Sequence, residues 1–531
     1  MSRVVPFLPL ALAVAFLAVG LATTSDFIAI PADTAQQLTV ARSLFRGEGY
    51  LQPVVWAHSG LADRVTHMPD THGILWPFVQ AVWFAALSED SSTARVHGLV
   101  YLALTGIVTF AFARRLFGTA AGLVAMTLVL TNVNLFLFAA MADDDLSFSF
   151  FFLCTAFFLH RGLEGGASRD FWFAGLAGGA AMLAKAIGFV LPLVFLSTLL
   201  LWRSLGPRKV AVRIVGLSLP IGFGALAYFL RNYLSHGDLG FRFASMQWIY
   251  KLGGFEALAG LFDPPPTMGG IFQSLGPSGI LHEVTWQLLA LAGSMIRTVP
   301  LLVTGPAVHE VASQFWLPAF LPLVGLIATL LLLTRQRAFC VIALLSWLGI
   351  VLFVSLPWHF ELRYFSPLVP LSAISISAAM QKWPFAAKLS PRVRLTAAGP
   401  VLVALVTLGL SALQFGIFQV ELASTRFDSR VCSDSLDWIE RSTAPEDRVM
   451  ALDPWHVAWF TERESIVIPS GGVSAIERVA RHYDTHWLLA AADLKRPETS
   501  RLLRRLDAVP AEIRIKHAYR GQACWVYRLD W

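Results

Sequence analysis

The sequence predicts a bundle of about eleven membrane-spanning α-helices, by the length rule for spans, followed by a small α/β domain outside the membrane. Three observations lead there. Apolar residues make up 56% of the 531 and charged residues only 14%, with mean hydropathy +0.61, whereas a soluble chain is nearer a quarter charged. Apolar runs approaching membrane length recur at 4–22, 95–113, 119–138, 146–160, 171–184, 186–202, 211–230, 314–334, 338–356, 364–380 and 396–418. After residue 420 the composition turns to mixed charge, turn residues and short β-rich pieces.

The first apolar run is longer than the h-region of a signal peptide, about 7–15 residues, and many spans follow, so it reads as a retained helix. Basic residues orient the rest, because Lys and Arg gather in short cytoplasmic loops. The turns at Arg114–Arg115, Arg161–Arg169, Arg203–Arg213, Arg335–Arg337 and Lys382–Arg394 are basic. With Arg3 inside, all of them become cytoplasmic, and 23–94, 139–145, 231–313, 357–363 and the tail face outward. Two further apolar pieces, 73–87 and 286–303, read as interfacial or re-entrant, since either one as a full span would move basic loops outside. Residues 1–420 thus form the membrane domain, with outer loops 23–94 and 231–313, and 421–531 an extracytoplasmic α/β domain. Net charge of +6 reflects the basic loops, and no basic patch with interleaved aromatics suggests nucleic acid.

In the tail, "DWIERS" and "VSAIERVARHY" have helical spacing, while "RVMAL", "SIVIP" and "CWVYRL" read as strands. Cys154 and Cys340 fall within spans, and Cys432 and Cys524 fall in the outer domain, where oxidation is permitted. A bridge would join that domain's start to its end; the alternative is two small buried residues.

Charged residues at the outer ends of spans are the candidates for chemistry, because such positions are costly and usually functional. Asp33 precedes "TAQQLTVARSLF", spaced as an amphipathic helix along the membrane surface, and by itself reads as an N-cap. "ADDD", holding Asp143, Asp144 and Asp145, reads as a solvated capping turn or as a second acid near Asp33. Two carboxylates in one cavity suit activation of a hydroxyl by a general base, with the second orienting the acceptor or holding a cation. Lys185, Arg231 and Arg363 lie at outer turns. Each alone could snorkel to headgroups, but three facing two carboxylates suit a lipid phosphate. His58, Asp63, His67, Asp70 and His72 crowd the first outer loop. His67, Asp70 and His72 are metal-capable but match no closed tetrahedral spacing, and substrate contacts are the competing role.

At these residues the sequence resembles the GT-C superfamily of integral-membrane glycosyltransferases, in the branch of protein mannosyltransferases and the lipid A aminoarabinose transferase. The resemblance runs in order along nearly the whole chain: "PADTAQQLTVARSLFRGEGY", "HMPDTHGILWPFVQAVW", "RVHGLVYLALTGIVTFAFARRLFG", "FAAMADDDLSFSF", "FAGLAGGAAMLAKAIGFVLPLV", "LRNYLSHGDLGF" and "RYFSPLVPL". It implies an inverting transferase that moves a sugar from a polyprenyl phosphate to an acceptor hydroxyl outside the bacterial cytoplasmic membrane. Asp33 would be the base and Asp143 the second acid, with Asp144 as its substitute if the spacing is off by one and otherwise a substrate-binding residue. Lys185, Arg231, Arg363, Tyr364 and His72 would bind substrate, the cations offsetting charge on the departing phosphate. Three positions depart from the family. Thr34 replaces a second acid, Gln36 stands where the aminoarabinose transferase has Arg, and paired prolines are reduced to Pro69–Asp70. The donor sugar is therefore not carried over. The resemblance fixes no cofactor, and a divalent cation held by the acids is the candidate. A transporter or flippase, a hydrolase or ligase of lipid-linked glycans, and a non-catalytic assembly subunit are the alternatives.

Overall fold

The computed structural model describes residues 8–24, 30–56, 62–69, 72–165, 167–201, 207–236, 317–333, 336–355, 362–381, 432–469, 473–491, 514–521 and 524–530, with a few residues between 270 and 285. The predicted span 396–418, the piece 286–303 and residues His58 and Asp70 lie outside them.

The membrane part is helical, as read from the sequence. Its helices are α1 (Leu8–Thr23), α2 (Ala32–Phe45), α3 (Leu75–Ala86), α4 (Ser91–Phe117), α5 (Thr119–Leu130), α6 (Val133–Ala140), α7 (Asp144–Gly165), α8 (Ser168–Ala184), α9 (Val190–Leu201), α10 (Pro207–His236), α11 (Leu317–Leu332), α12 (Arg337–Ser355) and α13 (Leu368–Gln381). Among the described residues, three helices are individually long and apolar enough to cross a bilayer, within 91–117, 144–165 and 211–235, and α5 with α6, bent by 55°, would make a fourth. Others are shorter because the chain breaks them. Lys185 is extended, and a 3₁₀ turn over Ala186–Phe189 separates α8 from α9. α3 has 12 residues, too few to span, in keeping with the interfacial reading of 73–87.

One apolar core joins α4 to α10, α12 and α13, with Leu99, Phe112, Met126, Phe152, Phe171 and Phe339 at its centre. Small residues bring helices close, the usual device where lipid removes the hydrophobic drive between them. A Cβ on Gly179 of α8 would strike the Pro220 carbonyl of α10, and one on Gly98 of α4 would overlap the Ala139 carbonyl. Chain direction puts Arg115–Glu164 (3.7 Å) and Arg161–Asp170 (3.0 Å) at one end of the bundle. The turn Asp143–Asp145, Lys185 and Arg231 are at the helix ends remote from it.

α2 departs from the expected surface helix. Thr34 through Ala41 and Ser43 are buried, and α2 packs in the cluster of Leu38, Ala41, Trp76, Phe84, Trp455 and Trp459. Its polar residues find protein partners instead of water. Gln36 Nε2 donates to Gln52 Oε1 (2.8 Å), Gln52 Nε2 lies 2.9 Å from His67 Nε2, and His67 Nδ1 lies 2.8 Å from the Val65 carbonyl. This chain of bonds requires the Nδ1–H tautomer of His67. It also gives Gln36 a structural role.

The tail builds α14 (Ser433–Ser442), β2 (Val449–Ala451), α15 (Pro454–Thr461), β3 (Ser465–Val467), α16 (Val473–Tyr483), β4 (Trp487–Ala491), β5 (Arg514–Arg520) and β6 (Cys524–Asp530). The sheet is not made from the tail alone, because β1 (Val54–Val55) from the first outer loop supplies its edge. Strand order is β1-β3-β2-β4-β6-β5, with β1, β3, β2 and β4 parallel and β6 and β5 antiparallel. Alternation along the strands divides two cores. Met450, Ile466, Leu488 and Tyr527 meet Ile476 and Val479 of α16. Val449, Ala451, Leu489 and Val526 meet α14 and Val457 of α15. Connections after β2 and β3 therefore leave to opposite faces, the switch in direction at which open α/β sheets carry ligands beyond the strands' carboxyl ends. Asp453 and α15 lie there.

Cys432 and Cys524 are bonded, with Cα atoms 5.2 Å apart across 92 residues. Cys432→Ser should lower stability of the sheet domain by roughly 2–5 kcal/mol. Thermal unfolding with and without reductant reads this, and identical curves for oxidised and reduced wild type would refute it.

Candidate active site

Asp33 enters the site through the start of α2. The N-cap is Pro31, with no side-chain cap, a position that tolerates a residue lacking an N–H. Asp33 is therefore freed from the capping role expected of it and stands in the first turn, where the helix dipole favours a carboxylate.

The second group is the turn between α6 and α7. Ala142 adopts φ 56°, a left-handed conformation that costs an alanine about 1 kcal/mol and aims the three acids inward. Asp143 is the cap of α7, its Oδ1 accepting from the Asp145 amide at 3.0 Å. Asp144 and Asp145 point at the end of α8, with Lys185 Nζ 2.7 Å from Asp144 and 2.8 Å from Asp145; Asp143 is 3.9 Å away. Lys185 also lies 5.7 Å from the centre of the Tyr364 ring. All three acids are buried, contrary to a solvated turn.

His72 joins the two acids. Its Nε2 is 3.7 Å from Asp33 and its Nδ1 3.8 Å from Asp144. Gly73 makes that approach possible, since a Cβ there would overlap the Ala184 carbonyl immediately before Lys185. Arg231 fixes the same loop by donating to the His72 carbonyl, while its guanidinium stacks 4.2 Å from the Tyr228 ring and its NH2 donates to Asn232 (2.8 Å). One line thus runs Asp33–His72–Asp144–Lys185–Tyr364, and it passes through Asp144, one residue on from Asp143. Arg363 lies in the 3₁₀ turn Leu362–Phe365, and its side chain is outside the described residues.

Among the described residues, Asp143, Asp144 and Asp145 offer oxygens within 4.8 Å of one another, the spacing of a cation site. Lys185 already gives them a counter-charge. His67 is committed at both ring nitrogens, so it cannot also ligate a metal beside His72.

Sequence reasoning missed the contribution of the tail. His456 in α15 places Nδ1 2.7 Å from Asp453 and Nε2 against the Ile30 carbonyl, three residues before Asp33. Burial disfavours the charge on His456, but the Asp453 carboxylate outweighs it and raises the ring's pKa to about 9. The motif "DPWH" gave a signal, an acid and a His three apart around a helix-starting proline. What that signal could not give was their neighbour. Farther along α15, Arg42 stacks 4.0 Å from the Trp459 ring and pairs with Glu89 at 2.7 Å, while Arg46 pairs with Glu89 at 2.7 Å and Glu462 at 2.9 Å.

Residues 71–231 match the family model described as dolichyl-phosphate-mannose-protein mannosyltransferase. The fold is similar to ArnT from Cupriavidus metallidurans bound to undecaprenyl phosphate, at TM-score 0.57 and 14% identity over 98% of this chain and 97% of that one. It is also similar to the archaeal oligosaccharyltransferase AglB from Archaeoglobus fulgidus in complex with an inhibitory peptide and a dolichol-phosphate, at TM-score 0.56 and 11% identity over 91% and 70%. No curated protein sequence matches significantly. The GT-C resemblance read from the sequence thus holds in the family model and in the fold.

Proposed function

We propose that this protein is an inverting glycosyltransferase that takes a sugar from a polyprenyl phosphate. The acceptor is a hydroxyl of an envelope glycan, lipid or protein at the outer face of the bacterial cytoplasmic membrane. The observation that carries the reading is the line Asp33–His72–Asp144–Lys185, open at Asp33 and buried at Asp144, with Arg231 of α10 bonded to the same loop. The ArnT and AglB structures, which hold undecaprenyl phosphate and dolichol-phosphate, support a lipid-linked donor.

In this reading Asp33 accepts the proton of the acceptor hydroxyl as its oxygen attacks the anomeric carbon from the face opposite the phosphate. The bond from that carbon to the phosphate oxygen breaks. A diester with one negative charge thereby becomes a lipid monophosphate with two, and the balancing proton rests on Asp33. Arg231 and Lys185, joined by Arg363 as the resemblance implies, are the cations that would meet the added charge. His72 lies between Asp33 and Asp144, 3.7 and 3.8 Å from them, and Tyr364 flanks Lys185. Asp143, which caps α7, would help position the acceptor or a cation. A divalent cation, where used, would be held by Asp143–Asp145, adding positive charge beside Lys185.

About eleven crossings by the length rule, with the N-terminus inside and residues 421–531 in the periplasm, complete the reading. Arg115 and Arg161 at the far end of the bundle and the bonded pair Cys432–Cys524 support that orientation. A lipid donor accounts for a site at the membrane surface, because its tail remains in the bilayer while its head reacts.

Mass spectrometry of extractable envelope lipids and glycans, with and without the protein, tests the proposal. The expected result is an acceptor heavier by one sugar residue only when the protein is present. Free sugar released without any acceptor would instead identify a hydrolase of lipid-linked glycans.

A further inference from the structure

His456 belongs to the outer sheet domain, yet its imidazole reaches the chain that carries Asp33. Both of its ring nitrogens face acceptors, Asp453 Oδ2 on one side and the Ile30 carbonyl on the other. A neutral imidazole has a single N–H, so only the imidazolium satisfies both. The ring lies parallel to Phe460, at 7° and 6.2 Å between centres, which holds its plane. Ile30 leads into Pro31, the cap of α2, and the first turn beyond that cap carries Asp33. Asp453 also feels the Asp33 charge, and the imidazolium beside Asp453 offsets the carboxylate it is bonded to.

We infer that His456 is a positioning residue for Asp33: as an imidazolium it ties the outer domain to the entry of α2 and sets the place and charge environment of the carboxylate. The inference rests on the reading of Asp33 as the base. It gives the connection leaving β2 a purpose, because that connection delivers Asp453 and His456 to the entry of α2. Asp453 is the charged group that faces His456, and Asp33 acts on Asp453. β1 and β3 bring Val54, Val55, Ser465, Ile466 and Val467, none charged. Arg42, Arg46 and Glu462 lie toward the other end of α15. On α14, Asp437, Glu440 and Arg441 are exposed, and Asp434 is at its N-terminus.

The sign follows from the raised pKa. Below the ordinary histidine value of 6.5 the tie is fully present, and it is lost as pH rises through about 9.

Hydrogen exchange read by mass spectrometry on the full chain in detergent tests this without relying on turnover. His456→Phe should speed exchange at the first-turn amides of α2 about tenfold, the scale set by a hydrogen bond to a charged group, while α16 exchanges as in wild type. His456→Gln retains one N–H for Ile30 and should recover part of the protection. In wild type the same amides should lose protection as pH rises through about 9, and Asp453→Asn should move that step to lower pH by removing the anion that holds the proton. Should His456→Phe not fold, the Asp453→Asn shift decides alone. With a polyprenyl phosphosugar donor, kcat should fall in His456→Phe with donor KM unchanged. Equal α2 protection in wild type and His456→Phe, or a wild-type protection profile flat to pH values well above the raised pKa, would overturn the inference. Intact pH-dependent protection in a wild type that transfers no sugar would overturn the transferase reading alone.

Discussion

Asp33→Asn should reduce sugar transfer by about 10²–10⁴-fold, the usual contribution of a general base, and leave the protein folded. The structure sharpens this expectation, because Pro31 and not Asp33 caps α2. Asparagine at this position therefore forfeits only a favourable charge at the helix start, about 0.3–1 kcal/mol, and is isosteric with what it replaces. Its distance to His72, 3.7 Å in wild type, need not change. Turnover and thermal unfolding should separate: the first nearly lost, the second shifted little. Donor binding, measured with a non-transferable polyprenyl phosphate, should survive, since Arg231 and Lys185 are untouched. Transfer at a near-normal rate would remove Asp33 from the chemistry and leave its carboxylate as a helix-start charge.

Local features of this site were legible because each ends an apolar run. Asp143–Asp145, Lys185 and Arg231 announce themselves as charges where hydropathy stops, and the energetic cost of such charges makes them informative. The structure sets Lys185 against the acidic turn and Arg231 on the His72 carbonyl, with Asp144 taking the link to His72 and Asp33. A one-residue offset of this kind is invisible in a run of three identical side chains. Which acid caps α7 and which faces Lys185 depends on the left-handed turn at Ala142.

Long-range partnerships were not legible. β1 has two residues, too few for any alternation to register, and its partner β3 lies some four hundred residues on. The same holds for Arg46 and Glu462, separated by 416 positions, and for His456 and Ile30, separated by 426. α2 misled for a related reason. Its spacing of apolar and polar residues suits a helix half in water, but Gln36 is satisfied by Gln52 and Arg42 by Glu89 and the Trp459 ring. Polar residues at helical spacing mark a face that needs hydrogen bonds, and the partner can be protein as well as solvent.

Lys185→Met should be the most damaging single change at the site, costing about 3–5 kcal/mol of stability because a buried charge loses its counter-ion, and transfer with it. Methionine matches the length of the lysine stem and packs as well, so the effect isolates the ammonium. Asp144 and Asp145 are 2% and 1% exposed, and each has a carboxylate oxygen within 2.8 Å of Nζ. Without the cation those carboxylates face one another in a low-dielectric turn, where repulsion is screened poorly. Lys185→Arg keeps the charge and should retain most of the stability, although its planar fork cannot sit among three acids as an ammonium does. A double-mutant cycle separates lost pairing from lost packing. If repulsion among the acids is the cause, Asp144→Asn added to Lys185→Met should be less damaging than the sum of the two single changes. Additive losses would instead assign the damage to packing around Tyr364, whose ring centre is 5.7 Å from Nζ. Unfolding of Lys185→Met at the wild-type temperature, with normal transfer, would mean that the acidic turn is balanced by something other than this lysine.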